Sequence, residues 1–174
     1  MREAGAAILL GLLAPPALLC AEGPGLGTPA PPALIAAWDI SVAPDGAGLP
    51  AGSGSAREGA TVYEAKCMAC HGKEGAGKPN DRLVGGRGTL KDAAPVRTVG
   101  SYWPYATTLF DYIRRAMPLP RPQSLGNDEA YALTAYLLYL NGIVAERAPM
   151  NAKTLPRVVM PNRDSFVPAY PPQQ

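Results

Sequence analysis

The stretch Cys67-Met68-Ala69-Cys70-His71 constrains this chain more than any other, because it gathers two thiols and the sole histidine of 174 residues into five positions. Such a group can serve as a dithiol redox centre, as part of a metal cluster, or as the anchor of a planar cofactor. Each use demands different surroundings, so the flanking sequence decides between them.

Upstream, Ser55 stands three residues before Glu58, the pattern of a capping box, and small or apolar residues recur at 56, 60, 63 and 67. The spacing predicts a helix that starts at Ser55 and runs into the motif, which leaves the cysteines at its C-terminal end. A dithiol centre instead needs a helix N-terminus fed by a strand, where the dipole lowers a thiol pKa. No strand pattern precedes Cys67. A structural zinc site needs four ligands, and beyond Cys20 the chain offers only Cys67, Cys70 and His71, with no second cluster. Attachment of haem is the use that fits. Two thiols separated by two residues can add to the two vinyl groups of one porphyrin, and the adjacent imidazole then reaches the iron as proximal ligand. A single motif implies one covalently attached haem c.

The N-terminus has Arg2, an apolar stretch from Ala6 to Leu19 and then small residues, which reads as a secretory signal over 1–21 with cleavage after Ala21. Pro15-Pro16 interrupts that stretch, and it is shorter than the ~20 apolar residues of a membrane span. Export to the periplasm is the expectation. Membrane attachment would require a retained signal or lipidation of Cys20, which Leu19 disfavours because such signals need a small side chain there. Removing 1–21 takes away Arg2 and Glu3, one charge of each sign, so the formal charge stays at +2. That balance leaves no basic stripe for nucleic acid.

Twenty prolines and nineteen glycines, against two Phe and two Trp, predict long irregular segments and a core completed by the cofactor. Residues 22–54 read as a Pro/Gly-rich arm around Trp38, residues 55–148 as the one folded domain, and residues 149–174 as a proline-punctuated tail. Within the domain, 72–100 has no surviving period and reads as loop. Apolar or small residues at 106, 109, 110, 113 and 117 predict a helix that Pro118 ends. The strongest helix covers 127–140, with Asn127 as N-cap, Asp128 and Glu129 in its first turn, Leu133, Tyr136, Leu137 and Leu140 as its buried face, and Asn141-Gly142 as its stop.

With one histidine, a bis-histidine iron is excluded within this chain, so the distal ligand is a methionine, a less usual group, or an open position. Met68 sits inside the attachment motif and cannot reach the opposite face. Met117, directly before Pro118, is the expected distal ligand, with Met160 before Pro161 as the next candidate and Met150 lacking a comparable context. Carboxylates beside the porphyrin need donors, for which Tyr102, Trp103, Arg87 and Arg114 are candidates. No residue arrangement suggests a catalytic site; the only histidine is already committed, which removes the usual general base.

A helix ending in CxxCH, a looped pocket, a Met-Pro and a closing helix resemble the class I cytochromes c. That resemblance implies an all-α fold with helices around one haem, here with long Pro/Gly-rich arms. It implies that Gly59 and Tyr63 meet Leu133 and Tyr136, and that the carbonyl of Pro79 accepts the proximal imidazole proton. "WDISVAPDGAGLPAGSG", "VGSYWPYATTLFDYIRRAMP", "AYALTAYLLYLNGIV" and "TLPRVVMPNRDSFVP" further resemble the cytochrome c subunits of periplasmic sulfite dehydrogenases and of the sulfane dehydrogenase of thiosulfate-oxidising systems. The narrower resemblance implies a monohaem electron-transfer subunit that takes single electrons from a molybdenum-cofactor dehydrogenase subunit and passes them to an acceptor cytochrome c. The arm around Trp38 and the tail at 160–166 would strap across that partner. A free-standing periplasmic carrier is the alternative.

Overall fold

Ser55 begins the first long helix as the sequence pattern requires: its hydroxyl accepts the Glu58 N–H, and the Glu58 carboxylate accepts the Ser55 N–H at 2.7 Å. The computed structural model describes residues 25–167 and 169–170; the signal-like segment 1–21, with Cys20, lies outside them. In chain order the helices are α1 (Pro32–Trp38), α2 (Ala56–Lys66), α3 (Met68–His71), α4 (Ala106–Ala116) and α5 (Asn127–Leu140), with single 3-10 turns at Lys73–Gly75, Thr89–Lys91 and Leu155–Arg157. Two-residue strands β1 (Ser53–Gly54) and β2 (Met150–Asn151) pair antiparallel, Ser53 opposite Asn151 and Gly54 opposite Met150. The architecture is all-α, and no helix of the described residues is long and apolar enough to cross a membrane.

α2 and α4 both pack on α5. The α2–α5 crossing is tight because Gly59 brings bare backbone to it: a Cβ there would run into the Ala132 carbonyl and lie 2.8 Å from Cβ of Tyr136. Beside it, the Tyr63 and Tyr136 rings meet at 5.3 Å between centroids. On the other flank of α5, Tyr131 packs against Phe110 of α4 at 4.4 Å.

The sequence pattern gives α5 one buried face, yet every residue from Ala130 to Ala135 is buried, as are Leu137 and Leu138, whereas Tyr136 and Leu140 are half-buried. Six consecutive buried positions exceed one helical turn, so α5 is enclosed on all sides there. Its N-cap is Gly126 rather than Asn127. Glu129 accepts the Gly126 N–H at 3.0 Å, and the Asn127 side chain is turned to the Ala51 carbonyl at 3.1 Å.

The enclosing layer comes from the arm and the tail. Val42 is buried and its N–H donates to Asp111 at 3.0 Å, Thr107 donates to the Pro44 carbonyl at 2.9 Å, and Tyr131 donates to the Pro50 carbonyl at 2.8 Å. From the tail, Met150, Leu155 and Met160 enter the same apolar core. Packing thus continues past both 54 and 149. The arm also contains α1, a helix absent from the sequence reading; Pro32 at its first turn presets a helical φ. α1 buries no residue, and Trp38 stands exposed at its end.

Candidate functional site

α2 ends at Lys66, and the chain turns at Cys67 into the one-turn helix α3, which carries Cys70 and His71. This corner is fixed from three sides. The Tyr63 hydroxyl donates to the Gly72 carbonyl at 2.9 Å, the Gly77 N–H donates to the His71 carbonyl at 2.8 Å, and the Asn80 N–H donates to the Cys70 carbonyl at 2.9 Å. Both cysteines are half-buried free thiols.

The corner opens onto a cavity of about 500 Å³. Its apolar walls follow from helical spacing. α4 contributes Leu109 and Ile113, and Met117 one turn further on; α5 contributes Leu133 and Leu137. Leu83, Val99 and Trp103 come from the loops, and Tyr63 from α2. Met117 therefore completes the α4 stripe, as its period suggests, but that end of the stripe faces the cavity rather than the closed core. Met68, Met150 and Met160 do not line the cavity. Met160 is wholly buried in the core instead, so the second candidate for distal ligand is occupied in packing.

His71 Nδ1 lies 2.9 Å from the Asp81 carbonyl. A hydrogen bond there leaves Nε2 as the nitrogen free to bind a metal. The expected acceptor, Pro79, is displaced for a local reason. The Lys78 N–H donates to the Asn80 carbonyl at 2.7 Å, which puts Pro79 at the exposed tip of a turn, and the loop returns to His71 only at Asp81.

Of the four suggested carboxylate donors, Trp103 alone lines the cavity. Arg114 donates to the Ile40 carbonyl at 3.3 Å, and the Tyr102 ring packs edge-on against Phe166 at 5.4 Å. The arginines that do line the cavity are Arg82 and Arg97, which sequence reasoning missed; Arg82 follows Asp81 directly, so its placement could be read only once Asp81 was known to return to His71.

The Cys67 thiol does not suit redox exchange. Burial pushes the Cys67 thiol up to about 11, with Lys66 opposing the shift and Cys70 adding to it, whereas reactive thiols are depressed. Burial likewise raises the Tyr63 phenol to about 12, so it remains a hydrogen-bond donor. Among the described residues no group of three or more His, Cys, Asp or Glu side chains could hold a metal ion by itself. A haem fits the same features: a largely apolar slot within the size range of small-molecule sites, lined by two cysteines, a histidine, a methionine and two arginines that can serve its carboxylates.

These features define a haem-attachment pocket in a helical domain. The family model described as cytochrome c oxidase, cbb3-type, subunit III matches residues 54–137. A chain in the crystal structure of the sulfane dehydrogenase SoxCD from Paracoccus pantotrophus is 44% identical, with 83% of this chain and 71% of that chain covered and a TM-score of 0.78. No curated protein sequence matches. The chain belongs to the c-type cytochromes, in the family of that SoxCD chain. It is an electron-transfer cytochrome that carries covalently bound haem c.

Proposed function

We propose that this chain is a monohaem, periplasmic electron-transfer subunit that accepts single electrons from a molybdenum-cofactor dehydrogenase oxidising sulfite or a sulfane sulfur, and delivers them to an acceptor cytochrome c. The observation that carries the haem reading is the convergence of Cys67, Cys70, His71 and Met117 on one apolar cavity. The similarity to a SoxCD chain supports the sulfur-oxidising partner.

When bound, the haem supplies one-electron exchange at its iron. Cys67 and Cys70 hold its edge, and His71 presents Nε2 while Asp81 fixes the ring's orientation. Met117 would offer a soft thioether, a ligand type that favours the reduced metal and leaves no room there for a small substrate. The apolar side chains from α4 and α5 exclude water, and Arg82, Arg97 and Trp103 offer donors to the two carboxylates. Oxidation of one sulfur centre by two electrons then requires two successive transfers to this chain.

Two measurements test the reading. Expressed with haem-maturation machinery, Met117→Ala should lose the methionine-to-iron charge-transfer band yet keep its Soret absorption; persistence of that band would remove Met117 as ligand. Purification of the mature chain from its own host should bring down a molybdenum protein in stoichiometric amount. Recovery of the cytochrome alone at all salt concentrations would favour a free-standing carrier.

A further inference from the structure

Asn141 closes α5, and its side chain bonds well beyond its own helix. Nδ2 donates to the Leu137 carbonyl at 2.8 Å and to the Leu83 carbonyl at 3.2 Å, while Oδ1 accepts the Gly85 N–H at 3.2 Å. One amide therefore grips the cavity loop by a carbonyl and by an N–H two residues later. Space for this grip is set by Gly100, whose missing Cβ would collide with the Asn141 amide. Val99, the next residue back, donates to the same Leu83 carbonyl at 3.3 Å.

Leu83 lies two residues after Asp81, the carbonyl that faces His71 Nδ1. The loop is tied on the near side by Asn80 to Cys70, and on the far side by the Leu83 N–H to the Gly75 carbonyl at 2.8 Å. Asp81 thus spans two anchors, and Asn141 secures the second of them to the most enclosed helix of the molecule.

We propose that Asn141 is a positioning residue for the proximal ligand: by holding Leu83 and Gly85 it sets the distance from the Asp81 carbonyl to His71, and so tunes the reduction potential. The inference rests on His71 being the proximal ligand of a bound haem. A carbonyl accepting the Nδ1 proton makes the imidazole a stronger donor and favours the oxidised iron. Loosening the loop weakens that bond and raises the potential.

The test is redox titration and amide hydrogen exchange on the full-length holoprotein. Asn141→Ala should raise the midpoint potential and speed exchange at Val99 and Leu83. Gly100→Ala, which pushes the same amide aside without altering its chemistry, should shift the potential in the same direction and keeps the test open where Asn141→Ala folds poorly. Asn151→Ala, an asparagine that accepts the Lys153 and Thr154 N–H groups in a tail turn, should change stability alone. Lowered melting temperatures with a wild-type potential in both Asn141→Ala and Gly100→Ala would overturn the proposal, leaving a merely structural cap. Absence of a Soret band in the wild-type chain would overturn the haem reading and this one together; a normal Soret band with an unmoved potential overturns this one alone.

Discussion

Gly59 illustrates how a single position sets the helix crossing. Alanine there would gain about 1 kcal/mol of helix propensity, but its methyl group would press on the Ala132 backbone, which cannot rotate away. Overpacking of this kind costs about 1–3 kcal/mol, so Gly59→Ala should lower stability in denaturant titration despite the better helix former. The same scale shows what local sequence could carry. That Cys67, Cys70, His71 and Met117 come together at one cavity follows from local signals, the motif spacing and a helical period. The places of Asp81, Arg82, Arg97 and Asn141 were not legible in the sequence, because they follow from where an irregular loop returns, and that path is set by backbone hydrogen bonds between distant residues.

At the scale of elements, α2 and α5 are joined at their ends by Lys66 and Glu129, 2.5 Å apart, both partly exposed. The hydrogen bond from Lys66 is the largest effect on the Glu129 carboxyl and holds it below its ordinary 4.5; burial opposes the shift, and the Gly126 N–H and the Lys66 charge add smaller lowering effects. A depressed carboxylate contributes stability above 4.5, and that contribution is lost as pH falls through the lowered value. An exposed pair of this kind is worth about 0.2–1 kcal/mol. Glu129→Gln should therefore be less stable than wild type at pH 7 and converge on it in acid, as thermal melts across pH would record. Helices α2, α4 and α5 were readable from caps and periods. The full enclosure of α5 was not, since the residues that cover its outer side lie in proline-rich segments with no period of their own. α1 escaped for a related reason: seven residues without a buried face leave no amphipathic signature.

For the whole molecule, the folded unit includes the tail. Met150, Leu155 and Met160 are each at most 4% exposed, and burying a large apolar side chain contributes about 1.5–3 kcal/mol. Their sum rivals the ~5–15 kcal/mol that stabilises a typical domain. Truncation after residue 148 should therefore abolish or sharply lower the cooperative thermal transition; a truncated chain melting within a few degrees of full length would show the tail to be dispensable. The arm and tail meet as β1 and β2, directly over α5. Because α5 touches only its own chain over more than a turn, a docking protein meets wrapping rather than inner helix. A scaffold built this way separates surface from support: on that side the arm and tail form the outer face, while the helix beneath them answers only to its own chain.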